Sequence, residues 1–178
     1  MQVILISGTS GTGKDTFAEL LRYRLMYDGH KVQILHNADP AKLEILEKYG
    51  IYNHKTPEGK KRIMQVTDEN YAKDRFYFEK LLSEKIKKDT EYVIIPDWRY
   101  VNTYEYFKDY DILTIMLTRK EYSSYINSNE DNKKKEEALI HDLGEYINHT
   151  LNLDCEFSKE VSIIDVLVKY EIYNKKEI

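Results

Sequence analysis

Val3-Ile4-Leu5-Ile6-Ser7-Gly8-Thr9-Ser10-Gly11-Thr12-Gly13-Lys14-Asp15-Thr16 is the stretch that decides the fold of this 178-residue chain. It opens on a short, continuous apolar run, the pattern of a strand buried on both faces. It ends in a turn with glycines at 8, 11 and 13 and a lysine at 14, the G-x-x-x-x-G-K frame. After the turn, Phe17, Leu20, Leu21 and Leu25 recur at helical spacing as far as Asp28-Gly29, where the glycine supplies a stop. In a strand–turn–helix of this kind successive backbone N–H groups point inward at a phosphate, and the helix adds its positive N-terminal end. Gly8, Thr9, Ser10, Gly11, Thr12, Gly13, Lys14, Asp15 and Thr16 are therefore candidate phosphate-binding residues, with Lys14 as a point charge for β- and γ-phosphates. A turn that merely joined strand to helix would need no lysine at a fixed offset. Where Ser or Thr usually ligates magnesium the chain has Asp15, followed by Thr16. A carboxylate is also a hard oxygen ligand, so Asp15 is a candidate metal ligand, directly or through water, while Thr16 reaches the α-phosphate.

Outward from this motif, residues 31–36 read as a second strand, and 39–88 as helical with breaks near Gly50 and at Thr56-Pro57. The last of these helices carries Phe78, Leu81, Leu82 and Ile86 on one face. Tyr92-Val93-Ile94-Ile95 is the next strand, ending at Pro96-Asp97, followed by a short helix over 101–107 and an apolar strand over 112–117. Residues 127–137 are almost wholly polar, a weak strand is expected over 153–157, and a final helix over 163–170. The alternation calls for an α/β fold with a parallel sheet and helices on both faces, and such sheets bind ligands at the carboxyl ends of their strands. No repeat and no Pro/Gly/Ser-rich linker divides residues 1–178, which are read as one domain, with 121–140 as a candidate helical lid.

Composition narrows the function classes. The chain carries 27 Lys+Arg against 31 Asp+Glu, a net charge of −4. A mildly acidic balance gives no general attraction to nucleic acid or to an anionic membrane, so neither is expected as a partner. Cys155 is a single cysteine, which excludes an internal disulfide, and a buried inert thiol is its expected state. The first residues lack the basic flank and cleavage site of a signal peptide, so the protein is expected in the cytoplasm.

Gly13-Lys14-Asp15-Thr16 resembles the G-K-D-T loop of the phage-type deoxynucleoside monophosphate kinases, a branch of the P-loop kinases. Ala38-Asp39-Pro40-Ala41-Lys42 is similar to that family's A-D-P-x-K, and Lys61-Arg62-Ile63-Met64-Gln65 to its R-R-L-L-Q helix. Val93-Ile94-Ile95-Pro96-Asp97-Trp98-Arg99-Tyr100 resembles its V-V-I-P-D-x-R-[FY] segment, and Arg119 stands where the family has an arginine at the start of its lid. The matches run over about residues 3 to 120. The chain departs from the pattern after Gln65, where either Lys73 or Arg75 takes the place of a family arginine, and at His141-Asp142-Leu143-Gly144-Glu145, a residue out of register with the family's H-x-[ST]-E.

The resemblance implies a three-layer P-loop kinase fold and a kinase that moves the γ-phosphoryl of ATP, with Mg2+, to a deoxynucleoside 5′-monophosphate. Lys14 and Arg119 would stabilise charge on the moving group, while Arg99 and Arg62 would hold the acceptor phosphate, a guanidinium fork matching phosphate oxygens bidentately. Asp97, at a strand end, would orient magnesium and its waters. Asp39, Lys42, Gln65, Arg75 and Trp98 are further candidates for contact with the acceptor. Each has a plain alternative. Asp39-Pro40 is also a helix-cap pattern, Arg62 and Arg75 are also solvated surface charges, Asp97 is also a turn residue, and Trp98 is also a packing residue. Lys133-Lys134-Lys135 reads as lid contact or solvated face, and His141 and His149, eight apart on an expected helix, lack a third metal ligand.

Other functions remain open: a different small-molecule P-loop kinase, for example one resembling dephospho-coenzyme A kinase, or a non-catalytic nucleotide-binding module. No N-K-x-D motif follows a strand, which disfavours a GTPase. The preferred base, and whether the chain acts as a monomer or a homodimer, are not written in the sequence.

Overall fold

The computed structural model of the chain describes residues 1–9, 11–50, 53, 56–118, 138, 141–153, 164–165, 167–168 and 172. Among these, β1 (Gln2–Gly8), β2 (Val32–Ile34), β3 (Tyr92–Ile95), β4 (Asp111–Thr118) and β5 (His149–Asn152) form one sheet in the order β2-β3-β1-β4-β5. Every pairing is parallel. β1 lies at the centre, with Val3 opposite Val93 on one side and Ile112 on the other. All of its residues are buried, which is why its sequence is apolar without alternation.

Parallel neighbours require crossovers, and helices supply them. α1 (Lys14–Tyr27) returns the chain from β1 to β2. α2 (Ala38–Tyr49), α3 (Pro57–Lys73) and α4 (Tyr77–Ser83) lie between β2 and β3, and α5 (Val101–Phe107) between β3 and β4. α3 begins at the expected break: the Thr56 hydroxyl accepts from Gly59 N–H at 3.1 Å, with Pro57 in the first helical position.

Side chains of successive strand residues point to opposite faces, so one sheet feeds two cores. On one face Ile4, Ile6, Ile94 and Ile115 pack on Phe17, Leu21 and Leu25 of α1 and on Ile164 and Val168. On the other, Val3, Leu5, Val93 and Ile95 meet Trp98, Phe107 of α5 and Leu143. At about 1.5–3 kcal/mol for each fully buried aliphatic or aromatic side chain, these two layers carry most of the stabilisation. A third cluster, Ala41, Ile45, Val66 and Phe78, belongs to α2, α3 and α4 alone. The result is the expected three-layer α/β arrangement.

Several boundaries differ from expectation. β2 is three residues long, although Leu35 N–H still donates to Ile94 O at 3.0 Å, and the turn into α2 comes at Asn37. β5, at His149–Asn152, is a strand that the sequence does not lead one to expect, and Leu153 follows it into the core; the rest of the expected weak strand, 154–157, lies outside the described residues. His141 and His149 therefore do not share a helix: residues 141–143 are helical and His149 opens β5. Of the expected final helix, Ile164, Asp165 and Leu167 are helical. Most of the expected lid, 121–137 and 139–140, lies outside the described residues. No helix among the described residues is long and apolar enough to cross a membrane.

Candidate active site

The loop at the end of β1 is shaped by its glycines. A Cβ on Gly8 would stand 2.5 Å from the Leu117 carbonyl oxygen, and its φ is +143°, so only glycine lets β1 pass this close to β4. Gly13, at φ +88°, is the N-cap of α1, and a Cβ there would meet nothing within 4 Å. Thr12 is turned inward, its hydroxyl donating to the Thr9 carbonyl at 2.9 Å. The first bond of α1 runs from Phe17 N–H to Gly13 O at 2.9 Å, so the amides that precede Phe17 have no earlier carbonyl of the helix to meet. Lys14 folds back over this cradle and donates through Nζ to Gly8 O at 2.8 Å and Thr9 O at 2.6 Å. A positive helix end and an ammonium thus meet at the end of β1. Asp15 and Thr16 stand exposed in the first turn of α1, and Ser10 lies outside the described residues.

β3 delivers the second part of the site. Beyond its carboxyl end the Trp98 N–H donates to Ile6 O at 3.1 Å, which ties the turn to β1. The Asp97 carboxylate, half-buried, accepts from Asn37 N–H at 2.8 Å through one oxygen and from Ala38 N–H at 3.1 Å through the other. Asp97 thereby caps α2 from another element, since the Asn37 side chain makes no cap bond of its own. Each carboxylate oxygen keeps a further lone pair for a water or an ion. Asp39 is in the first turn of α2 and pairs with Lys42 at 2.9 Å.

The remaining candidates divide. Trp98 is wholly buried among Val3, Leu5 and Phe107, with its Nε1 donating to Tyr100 O at 2.9 Å. The indole is used in packing, the alternative already carried by its place beside a strand end, and neither ring face is exposed. Arg99 is exposed and lines a cleft of about 340 Å³ together with Tyr100, His141, Asp142, Glu145 and Tyr146. Arg62 and Gln65 are exposed on α3, Arg62 over the Tyr49 ring at 5.1 Å and Gln65 donating to Glu69 at 2.8 Å. Arg75 pairs with Glu105 and lies over the Phe76 ring, and its neighbour candidate Lys73 is exposed. Arg119 lies outside the described residues. The fold thus brings the glycine loop, Lys14 and the strand end bearing Asp97 to one edge of the sheet, while Arg62, Gln65 and Arg75 make contacts of their own on helical surfaces.

Sequence reasoning passes over a buried polar cluster behind Asp97. Asn37 Nδ2 donates to the Thr103 hydroxyl at 3.1 Å, Thr103 donates to Glu79 Oε1 at 2.9 Å, and the Tyr71 hydroxyl donates to the same oxygen at 2.9 Å. Glu79 has no exposed surface. Burial pushes its carboxyl up from the usual range and pushes the neighbouring Tyr71 phenol up too. The only signal in the sequence is that Glu79 lies three residues before Leu82, on the apolar face of its helix.

The donor set fits a nucleotide with magnesium. Asp15, Thr16 and Asp97 offer hard oxygens, and among the described residues no group of three carboxylate, histidine or cysteine side chains forms a cage of its own. A magnesium ion held by one or two protein oxygens together with phosphate and water matches such a site.

No family model matches the chain, and no curated protein does. Solved structures do. Shikimate kinase from Aquifex aeolicus is similar at 14% identity over 95% of this chain and 96% of that one, with a TM-score of 0.56. Dephospho-CoA kinase from Campylobacter jejuni is similar at 12% identity over 99% and 100%, with a TM-score of 0.55. Shikimate kinase from Bacteroides thetaiotaomicron is similar at 15% over 95% and 96%, with a TM-score of 0.51. At such identities the likeness is one of architecture, and the chain has the three-layer parallel-sheet fold of these P-loop kinases.

Proposed function

We propose that the protein is an ATP-dependent kinase whose acceptor is a deoxynucleoside 5′-monophosphate. The observation that carries this reading is the glycine loop at the end of the central strand, with Lys14 Nζ folded over Gly8 O and Thr9 O and the Asp97-bearing end of β3 beside it. The choice of acceptor is supported by the residues at 13–16, 38–42 and 93–100 that resemble the phage-type deoxynucleoside monophosphate kinases.

In the proposed reaction an oxygen of the acceptor's 5′-phosphate bonds to the γ-phosphorus while the bond to the β–γ bridging oxygen breaks, giving ADP and a deoxynucleoside diphosphate. Such a transfer asks the protein for positioning and charge neutralisation. The amides of residues 8–16 hold the triphosphate, and Lys14 stands against its terminal phosphates. Asp15 and Asp97 would hold a magnesium ion, which when bound would supply positive charge to the phosphates, while Thr16 would reach the α-phosphate. Arg99, exposed beside its cleft, takes the acceptor phosphate. The cleft's volume is at the small end of the roughly 300–1,000 Å³ usual for small-molecule sites. Arg119, outside the described residues, is the proposed further source of charge for the moving phosphoryl group.

The test is ADP release from ATP and magnesium with dTMP, dGMP, dCMP, dAMP, dephospho-coenzyme A and shikimate supplied in turn. The proposal expects turnover with at least one deoxynucleoside monophosphate and its loss in Lys14→Met. Turnover only with one of the other acceptors, or ATP binding with no turnover of any, refutes it.

A further inference from the structure

Behind the Asp97 cap, α3, α4 and α5 bury a carboxyl group that pairs with no cation among the described residues. Glu79 receives two hydrogen bonds, from Tyr71 and Thr103, and both arrive at Oε1. Its Oε2 is buried without a partner, and so is Oδ1 of Asn37, which Thr103 joins to the same cluster. An ionised carboxylate would leave charge on Oε2, to which no other side chain among the described residues donates, and a proton there removes that buried charge.

We propose that Glu79 is a positioning residue carried as a neutral carboxylic acid, and that through Thr103 and Asn37 it sets the Asp97 carboxylate and the first amides of α2. The Tyr71 and Thr103 hydroxyls donate to it and favour the ionised form, whereas burial, the largest influence, and the negative charge of Asp74 favour the neutral one. Tyr71 faces it from α3, Asp74 adds negative charge from the segment after α3, and Tyr100 and Asp97 lie beyond Tyr71. The role assigned to Asp97 rests on the kinase reading, whereas the proton on Glu79 does not.

Two variants test it. Glu79→Gln keeps the shape and a donor and cannot ionise. A carboxyl whose folded-state pKa is raised favours folding fully below its unfolded value and loses that contribution as pH rises. The midpoint of Glu79→Gln should therefore gain on the wild type by several degrees between pH 5 and pH 8. A gap that is constant, or that moves the other way, overturns the neutral form. Thr103→Val keeps the shape and cuts the link between Glu79 and Asn37. It should shift the amide resonances of Asn37 and Ala38 and lower kcat about tenfold with little change in the KM for ATP, while Glu79→Gln retains the wild-type kcat. Unmoved resonances in Thr103→Val overturn the positioning role. If no acceptor is turned over, the kinase reading fails while the resonances and the pH series still decide this one.

Discussion

Replacing Asp97 by asparagine separates the two things this carboxylate is placed to do. Its oxygens accept from Asn37 N–H at 2.8 Å and Ala38 N–H at 3.1 Å. Asparagine has one oxygen, so it can serve one of these donors and must set its own NH2 against the other. A hydrogen bond to a charged group contributes about 1.5–3 kcal/mol, and negative charge at a helix N-terminus about 0.3–1 kcal/mol. The expected loss is about 2–4 kcal/mol. A chain of this length moves by roughly 2–4 °C per kcal/mol, so the midpoint should fall by about 5–15 °C. Urea denaturation followed by circular dichroism reads the same loss as a lower midpoint at an unchanged slope. Turnover should fall well below what unfolding explains when assayed at a temperature where the variant is fully folded. An unchanged midpoint would refute the cap, and unchanged turnover in a folded variant would remove Asp97 from the proposed chemistry.

Lys14→Met should lower kcat by roughly 10²–10³-fold, the usual effect of deleting one group that stabilises transition-state charge, with steady-state ADP release as the measurement. Gly8→Ala should destabilise by about 2–4 kcal/mol, since its Cβ would stand 2.5 Å from the Leu117 carbonyl and its φ is unfavourable for any side chain, and thermal melting checks it.

The parts of the fold that are legible in the sequence are those where one environment acts on every residue of a segment. β1, β3 and most of β4 are covered on both faces, so residues 3–6, 92–95 and, apart from Thr114, 112–117 form continuous apolar runs that cannot be mistaken for amphipathic strands. β5 is missed because it stands at the edge of the described sheet, and His149-Thr150-Leu151-Asn152 carries one large apolar residue in four. The glycine loop is legible because its spacing encodes a backbone shape. Asp97 is legible as a strand-end carboxylate, yet its partners are sixty residues away, and no local pattern records a cap supplied by another element. Trp98 reads more readily as a packing than as a stacking residue, and its wholly buried indole, with Nε1 donating to Tyr100 O, is used in packing. Arg62 and Gln65 show the reverse: a surface helix offers each a partner within reach, Tyr49 or Glu69, and their motif does not say whether a ligand displaces it.

How the helices bearing Asp39, Lys42 and Arg62 meet the sheet bears on what they are for. α2, α3 and α4 hold one another through Ala41, Ile45, Val66 and Phe78, and they meet the end of β3 and the start of α5 through Asp97, Asn37, Thr103 and Glu79. Apolar contact is non-directional and tolerates small slides. A hydrogen bond contributes only about 1 kcal/mol net, but it fixes distance and angle. Phosphoryl transfer gains most from the second kind of join, because groups misplaced by about 1 Å lose much of their effect. The two joins should therefore respond differently to substitution. Ile45→Val, inside the apolar cluster, should lower stability by about 0.5–1.5 kcal/mol and leave kcat within about twofold. Thr103→Val, in the polar join, should cost turnover more than it costs stability. A fall in kcat for Ile45→Val as large as that for Thr103→Val would mean that packing, and not the chain of hydrogen bonds, places these helices over the site.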